Sequence, residues 1–193
     1  GSEMCIRDRS IKVNCSEKGT VRLILNGASI SSSSTAPVVV EEAKKVLVTL
    51  ADGTTNTITD SSRLSTEEDY SAAIYSKEDL IINGNGTLNV NAGYRNGIKS
   101  TDDCIIVSGT LNITSTEDGI IGKDLCGIVA GDININAGSD GVKSTYDTDT
   151  TKGNVIIEGG NITIKASNDG IQAENILVIN DGTITVSYTH LRA

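Results

Sequence analysis

The sequence repeats at intervals of about 22 residues, and this repeat limits the folds that the chain can adopt. In its clearest copies a glycine follows Asn or Asp and precedes an aliphatic residue. These glycines are Gly97, Gly119, Gly141 and Gly170, and their spacings are 22, 22 and 29 residues. The longest spacing contains a polar insert at residues 146–152. A unit this short cannot bury an apolar core alone, so successive copies must stack on one another.

Each repeat contains three short apolar runs separated by polar turns, and the third run alternates strictly between apolar and polar residues. Such alternation is typical of β-strands with one buried face. If equivalent strands stack in parallel about 4.8 Å apart, their apolar residues form inward columns. The predicted columns are Ile74, Ile98, Ile120, Val142 and Ile171; Leu80, Cys104, Cys126, Val155 and Leu177; and Leu88, Leu111, Ile133, Ile162 and Ile184. The sequence therefore predicts an all-β parallel β-helix with three short strands per coil.

Residues 10–186 are expected to form a single β-helix domain, with less regular first coils at residues 10–65. Residues 1–9 and 187–193 lack the repeat and look like translated adapter sequence, so we exclude them from the fold. We expect the natural protein to continue at both ends, and whether a signal peptide precedes it stays open. The corner glycines are expected to supply positive φ angles.

Composition excludes several functions. The net charge is −9, and the chain has no Trp and no Phe. Such a chain is a poor nucleic-acid binder, because phosphate contacts need clustered Lys or Arg and base contacts favour aromatic side chains. No run of 18 apolar residues is present, so we expect no membrane span. The one histidine, His190, lies in the excluded tail, which leaves no imidazole for catalysis or metal binding. We expect a monomer.

Acidic residues recur at fixed places in the repeats, so stacking brings their charges together. Like charges on adjacent rungs repel unless they are solvated or bind a hard cation such as Ca²⁺, which takes oxygen ligands. The alternative is that these residues form Asx turns beside glycine. The candidate metal ligands are Asp102, Asp103, Asp118, Asp124, Asp140, Asp147, Asp149 and Asp169. The best single candidate site is the insert with Asp147 and Asp149, which we expect to lie near Asp118, Asp124 and Asp140.

The outward residues of the third strands form a polar ladder. A rigid row of amides and hydroxyls could match the hydroxyls of an extended polysaccharide, or it could be an ordinary solvated face. Two tyrosines and two lysines at the corners could add contacts to such a ligand. The candidate carbohydrate-binding residues are Asn89, Asn112, Asn134, Thr163, Tyr94, Tyr146, Lys99 and Lys143. Cys104 and Cys126 share one inward slot, either as stacked core residues or as a disulfide.

The ordered repeats resemble a family of bacterial extracellular carbohydrate-binding domains. The resemblance runs from about residue 21 to residue 186. It is carried by GTTNTITD at residues 53–60, AAIYSKEDLIINGNGTLNV at 72–90, NGIKSTDD at 96–103, DGIIGKD at 118–124, DGVKST at 140–145, EGGNITI at 158–164 and DGIQAE at 169–174. It implies a right-handed parallel β-helix, bound calcium, affinity for plant or microbial polysaccharides, and a distant kinship to pectate lyases. By position it also implies that the acidic corner residues are calcium ligands.

Three functions remain open at this point. We favour non-catalytic, Ca²⁺-dependent binding of cellulosic or pectic polysaccharides at the cell surface or outside the cell. The alternative is a pectate-lyase-like enzyme that acts by calcium-assisted β-elimination, with Lys99 or Lys143 as the base if its pKa were lowered. The third is a structural spacer in a larger surface protein.

Overall fold

The computed structural model describes residues 10–17, 19–63 and 70–188 of the chain. These residues form 21 strands, numbered β1 to β21 in chain order, and include no helix. Consequently the described chain holds no helix that could cross a membrane. The strands lie in three seven-stranded parallel sheets, and every coil contributes one strand to each sheet. The prediction of an all-β parallel β-helix with three strands per coil is confirmed.

Sheet A contains the first strand of each coil. Its strands are β1 (Ile11–Asn14), β4 (Val38–Glu42), β7 (Ala72–Ser76), β10 (Asn96–Ser100), β13 (Ile120–Gly122), β16 (Val142–Lys143) and β19 (Ile171–Gln172). Sheet B consists of β2 (Thr20–Leu25), β5 (Lys45–Leu50), β8 (Asp79–Gly84), β11 (Asp103–Ile106), β14 (Leu125–Ile128), β17 (Asn154–Ile157) and β20 (Leu177–Ile179). Sheet C consists of β3 (Ser29–Ser32), β6 (Thr55–Asp60), β9 (Thr87–Ala92), β12 (Thr110–Ser115), β15 (Asp132–Ala137), β18 (Asn161–Ala166) and β21 (Thr183–Tyr188).

The inward columns form in the predicted register. Ile98 pairs with Ile74 on one side and with Ile120 on the other, and all three side chains are buried. The columns of sheets B and C follow the same rule, since Cys104 pairs with Cys126 and Leu111 with Ile133. Aliphatic side chains thus stack on one another in most rungs, and their branched shapes pack closely on a pleated surface. Asn56, which is buried and pairs with Leu88, is an exception.

The irregular N-terminal part also follows the repeat. Strands β1 to β6 make the first two coils. At the other end, β21 continues through Ser187 and Tyr188, which pair with Lys165 and Ala166. The last strand therefore reaches two residues past position 186, where the sequence pattern ended.

The expectation that all corner glycines adopt positive φ is wrong for the repeat glycines. Gly109, Gly131, Gly160 and Gly182, before the sheet C strands, do have φ between 102° and 116°, but Gly119 is not among the residues with positive φ. A Cβ atom on Gly119 would lie 2.5 Å from both the Gly141 carbonyl oxygen and the Ile135 Cγ2 atom. The repeat glycines are therefore required by close packing of the sheet C core column against this corner.

Cys104 and Cys126 are stacked, buried and free in the structure. Burial raises the pKa of the Cys104 thiol well above its ordinary value and raises that of Cys126 to about 12. Two neutral thiols therefore occupy adjacent positions in the core and serve there as small apolar side chains.

We expect Gly119→Ala to lower the free energy of unfolding by about 1–3 kcal/mol, because the added methyl group overpacks the corner. Gly127→Ala is the matched control, since its Cβ would meet only the Ile105 side chain, at 3.5 Å. This control should leave stability unchanged or raise it slightly. Denaturant unfolding of both variants tests the prediction, and equal effects would contradict the packing explanation.

Candidate functional site

The predicted acidic residues lie at two different corners of the solenoid. Asp118 comes before β13 and Asp124 follows it, so the two carboxylates stand at opposite ends of a sheet A strand. The insert at residues 146–152 belongs to the second corner, where the Tyr146 N–H donates to the Lys123 carbonyl and the Gly153 N–H to the Asp124 carbonyl. The insert is thus placed beside Asp124, and Asp118 and Asp140 belong to the other corner.

At the first corner, three of the side chains before repeat glycines, those of Asn96, Asp118 and Asp140, accept a hydrogen bond from the next coil. The N–H of Asp118 donates to Asn96 Oδ1 at 3.0 Å, and that of Asp140 donates to Asp118 Oδ1 at 3.0 Å. The N–H of Asp169 continues the ladder by donating to Asp140 Oδ1 at 2.9 Å. Lys143 Nζ lies 2.7 Å from Asp140 Oδ2 and 3.6 Å from Asp118 Oδ2. The protein itself therefore supplies the hydrogen bonds and positive charge that these carboxylates need.

The pKa shifts at this corner fit a structural ion pair. Burial alone would raise the pKa of Asp140, but hydrogen bonds from Lys143, the Asp169 N–H and Asn168 hold it below its ordinary value. For Lys143, burial would lower the pKa, and contacts with Asp140 and Asp118 raise it instead. A catalytic base needs the opposite shift. Lys99, the other candidate base, donates to Ser71 Oγ at 3.2 Å.

The second corner opens into a groove of roughly 350 Å³ that we call the acidic groove. Its lining residues are Asp102, Asp103, Asp124, Leu125, Thr151, Lys152, Asn154 and Ile156. Asp79 joins this corner, because carboxylate oxygens of Asp79, Asp102 and Asp103 lie within 4.8 Å of one another. The Asp103 N–H also donates to Asp79 Oδ1 at 3.4 Å. Four carboxylates from three coils therefore meet at this corner.

These carboxylates repel one another, and their pKa values show it. Partial burial, the hydrogen bond with Asp124 and the charge of Asp79 raise the pKa of Asp102 to about 6. Burial and the charges of Asp79 and Asp124 also raise the pKa of Asp103. The groove therefore stabilises positive charge brought close to its oxygens.

One cation from the insert already reaches this corner. Lys152 Nζ lies 2.5 Å from Asp124 Oδ2 and 4.9 Å from the centre of the Tyr146 ring. The hydrogen bond with Asp124 raises the pKa of Lys152. Lys123 Nζ lies 4.9 Å from the same ring. Tyr146 thus lies near two lysines, of which Lys152 lines the groove. Asp102 and Asp103 have no comparably short ion pair among the described residues.

One residue that lines the groove, Asn154, has a buried acceptor without a partner. Asn154 Oδ1 is buried and accepts no hydrogen bond, whereas its Nδ2 donates to the Thr151 carbonyl at 2.9 Å. An unsatisfied buried acceptor is costly, so it indicates a missing donor or cation. Carboxylate and amide oxygens together are the ligand set that Ca²⁺ prefers. The residues present at this corner therefore fit a calcium ion.

The other candidate ligands have different surroundings. Asp149 accepts hydrogen bonds from both the N–H and the hydroxyl of Thr151, at 2.9 and 2.7 Å, which lower its pKa. Asp147 and Asp169 are exposed. Within the described ranges, only Asp79, Asp102 and Asp103 form a group of three with oxygens close enough to share one ion.

The polar ladder forms on the outer face of sheet C as predicted. Asn112 Nδ2 donates to Asn89 Oδ1 at 2.9 Å, and Asn134 Nδ2 donates to Asn112 Oδ1 at 3.1 Å. Thr163 pairs in register with Asn134 and continues the row. The amides therefore bond to one another along the solenoid axis, which fixes their orientation.

Tyr94 differs from Tyr146 in its surroundings. The Arg63 guanidinium carbon lies 4.0 Å from the centre of the Tyr94 ring, and that of Arg95 lies 5.5 Å away. Arg63 itself is buried and paired with Asp60 at 3.0 Å. Tyr94 is thus part of a packed cation–π cluster outside the acidic groove.

Three residues of the acidic corner were absent from the predicted ligands. Asp79 could have been found, because it lies 24 residues before Asp103, as Leu80 does before its partner Cys104. Asn154 could have been found too, because it pairs in register with Leu125, which pairs with Asp103. Lys152 could not, because it belongs to the insert, which has no counterpart in other coils, and its approach to Asp124 depends on how the insert folds back.

Comparison with known proteins identifies the family. The model of the carbohydrate-binding domain-containing proteins matches residues 5–192, and the chain belongs to this family. A carbohydrate-binding domain-containing protein of Acetivibrio thermocellus is 36% identical over 110 residues, which cover 55% of this chain and 38% of that relative. The match thus spans less than two fifths of the relative's length.

A solved structure is similar over nearly the whole chain. It is that of the polysaccharide lyase-like protein from C. thermocellum, a gadolinium derivative, with 33% identity and a TM-score of 0.83. The similarity covers 96% of this chain and 79% of that one.

The raised pKa of Asp102 predicts that stability in chelator falls as the pH rises. The folded state holds this proton up to about pH 6, whereas an unfolded Asp loses it near pH 4. The folded state therefore binds more protons in this interval, and the free energy of unfolding should drop there by about 1–2 kcal/mol.

Asp102→Asn should remove this part of the pH dependence and be more stable than the wild type above pH 6. Asp60, whose pKa is also raised to about 6 by burial, is present in both proteins and so cancels in the comparison. Urea unfolding between pH 4 and 7 measures the difference. Identical pH profiles would show that Asp102 titrates normally.

Proposed function

We propose that this protein binds polysaccharides without cleaving them, outside the cell or at its surface, and that Ca²⁺ in the acidic groove is needed for binding. The observation that carries the proposal is the convergence of carboxylate oxygens of Asp79, Asp102 and Asp103 within 4.8 Å of one another. Asn154, whose buried Oδ1 has no partner, lines the same groove as Asp102 and Asp103. Membership of the carbohydrate-binding family supports the ligand class.

The spacing of the oxygens suits calcium. Ligand oxygens lie about 2.3–2.6 Å from Ca²⁺, so two of them on one ion are at most about 5 Å apart. The three carboxylates meet this limit, and Asp124 and Asn154 line the same groove. Gadolinium is likewise a hard cation with a preference for oxygen ligands, and the related structure is a gadolinium derivative. Extracellular calcium modules work at about 10⁻⁴–10⁻³ M, which agrees with an open groove.

A bound cation would also solve an electrostatic problem. The chain carries a net charge of −9, so an acidic polymer would be repelled by its overall field. Calcium held by the protein on one side can take carboxylate or hydroxyl oxygens of the glycan on the other. Calcium here would neutralise the groove and bridge to the ligand, while Lys152 and Tyr146 stand beside it.

Binding without cleavage is supported by the state of the lysines. β-Elimination requires a base that accepts the proton next to the uronate carboxylate. The pKa values of Lys143 and Lys152 are both raised by their aspartate partners, which keeps these lysines protonated. Neither is therefore prepared to accept a proton.

Calcium should raise the melting temperature of the wild type, and chelator should abolish both this shift and the retention of the protein in affinity gels of polygalacturonate. At ten times its dissociation constant a ligand adds about 1.4 kcal/mol to stability. Asp102→Asn combined with Asp103→Asn should lose the shift and at least about tenfold in glycan affinity, since two anionic ligands are removed.

Asp118→Asn is the matched control for this double variant. The Asn side chain keeps an oxygen to accept the Asp140 N–H, and position 118 lies at the other corner. The control should keep the calcium shift and the glycan affinity. Retention that is insensitive to chelator would refute the role of calcium, and no retention on any glycan would favour a spacer.

A further inference from the structure

The outer face of sheet B carries a row of aliphatic side chains that runs along the solenoid axis and is interrupted at one rung by Gly127. The strands pair in register from Leu47 to Ile81, Ile105, Gly127, Ile156 and Val178. These positions alternate with inward residues such as Leu80 and Cys104, so their side chains point away from the core. We call this row the aliphatic stripe. Its six rungs span about 24 Å.

The stripe has no structural counterpart on sheet C. The equivalent outward positions there are Asn89, Asn112, Asn134 and Thr163, which are polar. The core therefore does not require aliphatic residues on the outside of a sheet. The stripe is also only partly covered: Ile81, Ile105 and Ile156 are half-buried, and Val129 beside it is 43% exposed. A row of apolar side chains on a face that contacts water is typical of an interaction site.

The stripe is continuous with the acidic groove. Ile156 lines that groove, and Asp79 and Asp103 lie two residues before Ile81 and Ile105 on the same strands. Side chains two apart on a strand share a face, so carboxylates follow one side of the stripe. On the other side, the Thr49 hydroxyl donates to Asn83 Oδ1 at 2.7 Å. An apolar centre with polar borders is thus built into one face.

This arrangement matches the chemistry of a sugar chain. A pyranose ring has apolar C–H faces and polar substituents around its rim, and in an extended chain each sugar advances by a length close to the rung spacing of about 4.8 Å. Ring faces on the stripe would bring rim oxygens over the acidic groove. The chain offers few aromatic platforms for this purpose, because Tyr70 is buried and Tyr94 is packed against Arg63.

We propose that the aliphatic stripe is the surface on which a single extended polysaccharide chain lies, parallel to the solenoid axis, with its ring faces on Ile81, Ile105 and Ile156. This inference rests on the proposed function and adds to it the face and direction of binding. It also assigns the apolar contact to aliphatic side chains rather than to the polar ladder of sheet C.

The test uses affinity gels of polygalacturonate and of hydroxyethylcellulose, run with calcium, on the full chain. Ile81→Thr and Ile105→Thr keep a β-branched side chain on the strand and shorten its apolar part. Each should weaken retention by about fourfold and the pair by about tenfold or more, because one buried CH₂ contributes about 0.8 kcal/mol. Melting curves should show that the variants remain folded and keep the calcium shift.

Two further variants serve as controls. Ile24→Thr removes an isoleucine that is 68% exposed on the same sheet, but Ile24 pairs with Thr49 and lies outside the stripe. It should leave retention unchanged. Asn112→Ala interrupts the ladder of sheet C and should also retain wild-type affinity.

The outcomes separate this inference from the proposed function. If the stripe variants bind like the wild type while chelator abolishes binding, the stripe is not the binding face and the calcium-dependent function stands. If Asn112→Ala alone weakens binding, the ladder is the binding face. If the wild type binds neither glycan, the proposed function fails, and the stripe does not bind a polysaccharide chain. If the wild type sediments as a dimer and the stripe variants change only this dimerisation, the stripe is an interface between copies of the chain.

Discussion

The parallel pairing of equivalent strands, coil upon coil, is the interaction on which the rest of the structure depends. It buries one residue type beneath the same type on the next rung, as Ile98 lies between Ile74 and Ile120. The same pairing also aligns the outward residues of successive coils with one another. In a solenoid, the same kind of surface residue therefore tends to recur in a row along the axis. The ladder, the carboxylate columns and the aliphatic stripe all follow from this rule.

The two acidic corners show how one geometric rule leads to two chemical results. At the first corner the stacked aspartates receive backbone N–H groups from the next coil, and Lys143 neutralises them. At the second corner the aspartate side chains lie close to one another, and the pKa of Asp102 rises to about 6. Stacking alone thus does not determine whether a column of acidic residues is part of the structural framework or a cation site. The other groups at each corner, such as backbone N–H groups, lysines or further carboxylates, determine it.

Most of the fold follows from the sequence, because a repeat fixes the register of every strand that belongs to it. The pairs of Leu111 with Ile133 and of Cys104 with Cys126 were predictable from spacing alone. The role of Gly119 was not, because the clash that excludes a side chain there involves Ile135, which lies in another sheet of the coil. Lys152 was not predictable for a related reason: it belongs to an insert that interrupts the repeat, so no neighbouring copy indicates where its amine lies.

The ladder through Asn96, Asp118, Asp140 and Asp169 runs in one direction: the side chains of Asn96, Asp118 and Asp140 each accept from the backbone N–H of the next coil, and Asp169 ends the ladder as a donor. Asp118 and Asp140 therefore each accept from the coil that follows and donate to the coil that precedes. A gene duplication that copied one such coil whole would restore both junctions without any compensating mutation. Solenoids of this kind can thus lengthen during evolution in steps of one coil, and the length of their ligand-facing surface can grow with them.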